Sequence, residues 1–193
     1  VQLQSNTSLA SLGVSNAGVG GDFNVPTTAI EVAPSAQNVT IRATAAQSAP
    51  PGVAQGTDVR VALRFGRVTG LLVTDVDLRA ERSSSLYGIR GIFDSGSDPL
   101  EKDILLRDVR IAISAASANA RGVDAFGRME LAVDGMTIVV TPGGLLPTNT
   151  LGFRTQSETN LKASRLDVTL AYAASPVFEV RGLQFSTSSQ VDV

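Results

Sequence analysis

The sequence contains no cysteine and no histidine. The first absence excludes disulfides, thiol nucleophiles and thiolate metal sites. The second removes the usual general base and the usual transition-metal ligand. Tryptophan is missing too, and aromatics are only 5% of the chain, so an interior must be filled by Val, Leu, Ile and Ala. Neither sign of charge dominates: 16 Lys and Arg stand against 18 Asp and Glu, a formal charge of −2. That balance offers no electrostatic footprint for nucleic acid or an anionic membrane surface. No apolar run approaches the ~20 residues that cross a bilayer as a helix, so no membrane insertion is expected of this segment. The first residue is Val1 rather than Met, as expected for an excerpt or a processed form. A chain of 193 residues is most simply one domain.

What is present is a phrase repeated four times: LLVTDVDLRA at 71–80, ILLRDVRIAI at 104–113, LAVDGMTIVV at 131–140 and LKASRLDVTL at 161–170. The starts lie 33, 27 and 30 residues apart. Repeats of this length built from strand-like segments predict a solenoid, in which each coil buries its apolar face only by stacking on the next. Within each copy two short apolar stretches meet at a hinge: Asp75, Asp108, Gly135 and Arg165. The second stretch alternates with a period of two, the pattern of a strand with one buried face. Leu78, Ile111, Ile138 and Val168 share one position and should stack as an aliphatic ladder. NVTIRAT at 38–44 reads as an earlier, degraded copy with Asn38 at its hinge.

A second signature follows each copy: YGIRGIF at 87–93, RGVDAFG at 121–127, LGFRTQ at 151–156 and, less cleanly, PVFEVRGL at 176–183. VRVALRF at 59–65 is the counterpart in the earliest coil. Gly88, Gly122 and Gly152 read as corners where the chain turns into another strand. Two proline-bearing loops, at 45–57 and 142–150, should protrude from corners. Residues 1–33 fit the repeat poorly and are expected to form an atypical first coil or cap, leaving 34–193 as the solenoid domain.

The coil pattern resembles the right-handed parallel β-helix, and in particular passenger domains of pertactin-like autotransporters and related bacterial surface proteins. The resemblance spans about residues 34–185 and is carried by the segments at 102–140 and 150–170. It implies an all-β fold, a single right-handed parallel β-helix of about five or six coils. It also implies a secreted or surface-displayed bacterial protein, Gram-negative in type, with a structural or adhesive role toward a host surface or glycan. Lyases, tailspikes and adhesins share the pattern, so function must come from the site rather than the fold.

Placing the second strands in register gives a polar column: Arg64, Arg90, Asp124, Arg154 and Glu179. Each follows an inward apolar residue, so the column is expected to face solvent. Adjacent coils lie about 4.8 Å apart, which brings Arg90, Asp124 and Arg154 within salt-bridge reach. The alternatives are a charged binding face or a solvated ladder that fixes coil register, each exposed pair worth about 0–1 kcal/mol. Asp94, Asp98, Glu101 and Asp103 form the most acidic turn, but their spacing does not match the EF-hand loop. Nor does GVGGDF at 18–23 match the calcium-binding nonapeptide. No metal or cofactor is therefore expected. An enzyme would need two carboxylates about 5–9.5 Å apart; Asp75 and Asp108 sit at hinges, and Asp77 faces Arg110. The remaining reading is self-assembly, head-to-tail or by strand donation. A solenoid has open edges, and residues 1–14 carry Val1, Leu3, Leu9, Leu12 and Val14, a strip too apolar for a solvated tail and too irregular for a coil.

Overall fold

The computed structural model describes residues 1–16, 26–48, 59–92, 101–141, 149–171, 179–185 and 190–192. Its strands are β1 (Gln2–Leu3), β2 (Ser8–Ala10), β3 (Gly13–Asn16), β4 (Thr27–Val32), β5 (Ala36–Ser48), β6 (Val59–Phe65) and β7 (Val68–Ile92). They continue with β8 (Glu101–Phe126), β9 (Met129–Thr141), β10 (Asn149–Gln156), β11 (Thr159–Leu170), β12 (Glu179–Phe185) and β13 (Gln190–Asp192). Every pairing is parallel and joins one coil to the next. The chain is an all-β parallel solenoid of about five turns.

Each coil has three sides. Side 1 stacks β1, β4, β6, the C-terminal parts of β7 and β8, β10 and β12. Side 2 runs through β2 and residues 39–42, 71–74, 104–107, 131–134 and 161–164; side 3 through β3 and residues 44–48, 76–80, 109–113, 136–140 and 166–170. The corner between sides 2 and 3 is made by one residue per coil in the left-handed region. These are Ser11, Ala43, Asp75, Asp108, Gly135 and Arg165, with φ of 54°, 45°, 52°, 48°, 78° and 53°. Four of them are the hinges expected from the repeat. The hinge of the early copy is Ala43, not Asn38. Asn38 lies on the corner between sides 1 and 2 with Asn6, Gly70 and Asp103. There its Nδ2 donates to Asn6 Oδ1 at 3.1 Å, a stacked amide pair of the kind that stabilises in-register strands.

The interior is a set of aliphatic ladders. Ala46, Leu78, Ile111, Ile138 and Val168 are register partners from coil to coil, as the alternation predicted. Val39, Leu71, Ile104, Leu131 and Leu161 form a second ladder on side 2. Side 1 contributes Ile30, Leu63, Ile89, Val123 and Phe153, each 1% exposed or less.

Gly88, Gly122 and Gly152 are not corners, contrary to the expectation. They lie mid-strand on side 1, where side 3 comes closest. A Cβ would stand 2.2 Å from Ile111 Cγ2 at Gly88, 2.3 Å from Ile138 Cγ2 at Gly122 and 2.2 Å from Val168 Cγ1 at Gly152. The glycines let the two sides approach, and the branched ladder of side 3 fills the space their missing side chains leave.

Two further expectations change. Residues 45–48 continue β5 rather than beginning a loop; residues 49–58 and 142–148 lie outside the described residues. Residues 1–14 are regular enough for a coil: β1 pairs with β4, and β2 and β3 pair with β5, in the common register. Leu3, Leu9 and Val14 are buried, whereas Val1 and Leu12 are 58% and 52% exposed. Strands of two to four residues carry one inward side chain each, so no alternation is visible in them.

Candidate functional site

On side 1 the alternation breaks at the glycine: Gly88 and Ile89, like Gly122 and Val123, both face the interior, which puts Arg90 and Asp124 on the outer face together with the residue before each glycine. Register pairing runs Gln2, Glu31, Arg64, Arg90, Asp124, Arg154, Gln184. Four of the five expected column residues therefore line up. Glu179 does not: it pairs with Asn149, and Gln184 stands opposite Arg154. The matching phrase is RGLQ at 181–184 beside RGVD at 121–124, with Gly182 taking the place of Gly122. Glu31 heads the charged part of the column and was visible in IEV at 30–32, which repeats the spacing of LRF at 63–65.

The middle of the column does not face open solvent. Arg90 is 2% exposed and Asp124 5%. A parallel column, Val61, Tyr87, Arg121 and Leu151, runs beside it on the same outer face. Val59, Val61 and Tyr87 form an apolar cluster separate from the main core. Tyr87 is held between two guanidinium groups, with Arg90 Cζ 5.0 Å and Arg121 Cζ 5.5 Å from its ring centroid. Such stacking of a cation on a ring face is worth more when desolvated. Tyr87 and Arg121 belong to the site although sequence reasoning passed over them. The signal was the residue before each glycine in YGIR, RGVD and LGFR.

Asp124 is the hub. Arg154 donates to it through two nitrogens, Nε to Oδ1 at 2.7 Å and an Nη to Oδ2 at 2.8 Å. Arg121 donates an Nη to Oδ2 at 2.8 Å. The Arg154 fork is the bidentate geometry that makes arginine–carboxylate pairs strong. The three side chains are 7–14% exposed, so water screens them little. Arg64 meets Glu31 at 3.4 Å on the neighbouring coils. Burial holds the Arg90 guanidinium below the ordinary arginine value; the nearby Tyr87 and Asp124 oppose that shift, while Arg64 and Arg121 add to it.

A second charged group occupies the exposed corner between sides 2 and 3. Arg165 donates to Asp134 at 2.8 Å and reaches Asp108, two coils away, at 3.5 Å. Arg107 approaches Asp134 at 3.6 Å. The bridge passes over Gly135, where a Cβ would lie 2.6 Å from Asp108 Oδ1. The hydrogen bond from Arg165 lowers the Asp134 carboxyl, helped by Ser164, and Asp134 in turn raises Arg165. Asp77 and Arg110, facing each other as expected, are 3.8 Å apart.

Asp94 and Asp98 of the acidic turn lie outside the described residues, as do the side chain of Glu101 and the segment GVGGDF. Asp103 sits at a left-handed corner with φ 62°. It lines a shallow depression of about 180 Å³ on side 2 with Glu130, Ala132, Asn160 and Lys162. Among the described residues no three acidic side chains converge as metal ligands would. Set against known protein families, curated proteins and solved structures, the chain matches none of them.

Proposed function

We propose that this solenoid is a structural or interaction module, non-catalytic, of the adhesin or surface-layer kind and displayed on or released from a Gram-negative cell. The observation that carries the reading is where its charges go. Asp124 with Arg154, Glu31 with Arg64, Asp77 with Arg110, Asp134 with Arg107 and Arg165, and Glu158 with Arg128 each link one coil to another. Each of these carboxylates stands beside an arginine counter-charge, and the Asp134 carboxyl is lowered by its hydrogen bond from Arg165, the reverse of what a general acid needs. The same pairs fix the register of neighbouring coils. The resemblance of the coil pattern to pertactin-like passenger domains supports the location outside the cell, and the stacked parallel sheet faces of a solenoid suit contact with a host surface or glycan.

The rival is a polysaccharide lyase or tailspike-type glycosidase. Incubating the folded chain with acidic and neutral polysaccharides and assaying unsaturated and reducing ends separates the two. No release above buffer is expected. Steady release, abolished by Asp124→Asn in a variant that still folds, sinks the non-catalytic reading.

A second reading, a filament or matrix subunit, is favoured by one specific observation: among the described residues Val1, Leu12, Leu183 and Val191 are large apolar side chains exposed on the first and last described coils.

A further inference from the structure

Of all the Asp and Asn residues in the chain, only Asp134 is followed by glycine. That dipeptide has a chemistry of its own. The amide nitrogen of a glycine, unshielded by any Cβ, can attack the side-chain Cγ of the aspartate before it and close a five-membered succinimide, with loss of one water. Water then reopens the ring at either carbonyl. Opening at Cγ restores aspartate; opening at the main-chain carbonyl leaves isoaspartate, whose chain runs on through the β-carbon. The sum is an isomerisation, and no oxidant, metal or second substrate is consumed. Gly135 stands at this corner for a structural reason. A Cβ there would lie 2.6 Å from Asp108 Oδ1 and 3.0 Å from an Arg165 Nη, beneath the bridge that Arg165 makes from Asp134 to Asp108, and its φ is 78°.

The side chain of Asp134 is 39% exposed, so water reaches it and burial is no shield. What holds it is a set of donors from the coils on either side. Asp134 ends side 2 between Arg107 of the preceding coil and Ser164 of the following one. Its Oδ1 accepts from Arg165 Nε at 3.1 Å, from an Arg165 Nη at 2.8 Å and from Ser164 Oγ at 3.0 Å. Arg107 Nε stands 3.6 Å from Oδ2. Ring closure requires two things of this carboxyl. Its Cγ must turn off these donors onto the amide that follows it, and it must be protonated so that water can leave. The donors oppose the first by holding the oxygen across the coil boundary. They oppose the second by lowering the proton affinity of the carboxyl, Arg165 first and Ser164 after it.

We propose that Asp134–Gly135 is an isoaspartate-forming site which the clamp of Arg165 and Ser164 keeps closed in the folded solenoid. The same arginine that requires glycine at the corner thus guards the reactive bond that glycine creates. Release matters to the fold, because isoaspartate adds one carbon to the main chain at the corner and shifts Met136 and Ile138 against the ladders they pair with. The test ages the full 193-residue chain in warm neutral buffer and follows isoaspartate at position 134 by proteolysis and fragmentation mass spectrometry. The native chain should isomerise far more slowly than the same chain held unfolded in urea. Arg165→Gln, folded by circular dichroism, should isomerise about fivefold faster than native, the rate equivalent of one exposed ion pair. Ser164→Ala removes a single donor and should give a smaller acceleration; it carries the test if Arg165→Gln does not fold. Gly122→Ala weakens the core without touching the clamp and should age like the native chain. A native rate equal to the unfolded one overturns the proposal, as does a clamp variant no faster than native. Equal acceleration in Gly122→Ala also overturns it, since protection would then belong to the fold as a whole.

Discussion

Gly122→Ala tests how sides 1 and 3 meet. The added methyl would lie 2.3 Å from Ile138 Cγ2 and 2.5 Å from the Gly152 carbonyl oxygen, against the roughly 3.5–4.0 Å at which such atoms are comfortable. Neither neighbour can yield easily: Ile138 is fully buried in its ladder, and the carbonyl belongs to the next coil's backbone. Overpacking a filled core costs about 1–3 kcal/mol, and two simultaneous clashes put this case at the upper end, about 3 kcal/mol. The last coil supplies the control. Gly182 holds the same column position, yet a Cβ there meets nothing within 4 Å, so Gly182→Ala should stay within about 0.5 kcal/mol of native. Both variants alter the unfolded chain alike, so the difference between them isolates the contact. Urea unfolding followed by far-UV circular dichroism measures it. At a slope of about 1–3 kcal/mol per molar urea, Gly122→Ala should lower the midpoint by about 1 M or more and Gly182→Ala should hardly move it. Equal midpoints would refute the close approach of the two sides.

Ile111→Asp should abolish cooperative unfolding, because the residue is 2% exposed and a lone carboxylate there has no partner in the ladder; a native-like transition would place Ile111 outside the core. Gly135→Ala should destabilise by about 1 kcal/mol or more, since its φ is 78° and the new Cβ meets Asp108 Oδ1; unchanged melting would show that the corner tolerates a side chain. The Asp134 carboxyl is lowered by Arg165, so its contribution is present above the unfolded carboxylate range, near pH 4, and is lost as pH falls through the lowered value. The stability gap between native and Asp134→Asn should therefore be present at neutral pH and close on acidification; a gap that widens in acid contradicts the assignment.

Much of this architecture is legible in the residues because a solenoid repeats its constraints. The ladder of Leu78, Ile111, Ile138 and Val168 follows from alternation alone, and the hinges Asp75, Asp108, Gly135 and Arg165 follow from the break in it. Alternation tells which way a side chain points but not whether anything lies over it. Arg90 and Asp124 do point outward, yet both are buried. The pairs that Asp124 makes with Arg154 and Arg121 therefore belong to the desolvated regime and not to the solvated one expected from the sequence. Glycine's two uses also look alike in sequence: at Gly135 it relieves a positive φ, while at Gly122 it makes room. Glu179 was misplaced because a polar residue after an apolar one satisfies the pattern at either of two registers, and only the preceding Arg181–Gly182 pair distinguishes them.

The buried charges hold coil to coil, and a double-mutant cycle on Asp124 and Arg154 measures that contact. The pair is bidentate at 2.7 and 2.8 Å with both side chains under 15% exposed. Removing Asp124 alone leaves Arg154 and Arg121 without that counter-charge, a loss of about 3–5 kcal/mol. Asp124→Ala, Arg154→Ala and the double variant, unfolded in urea, should give a coupling energy of about 1–3 kcal/mol. A coupling within about 0.3–0.5 kcal/mol of zero, with each single variant as stable as native, would contradict the account and return the column to the role of a surface site.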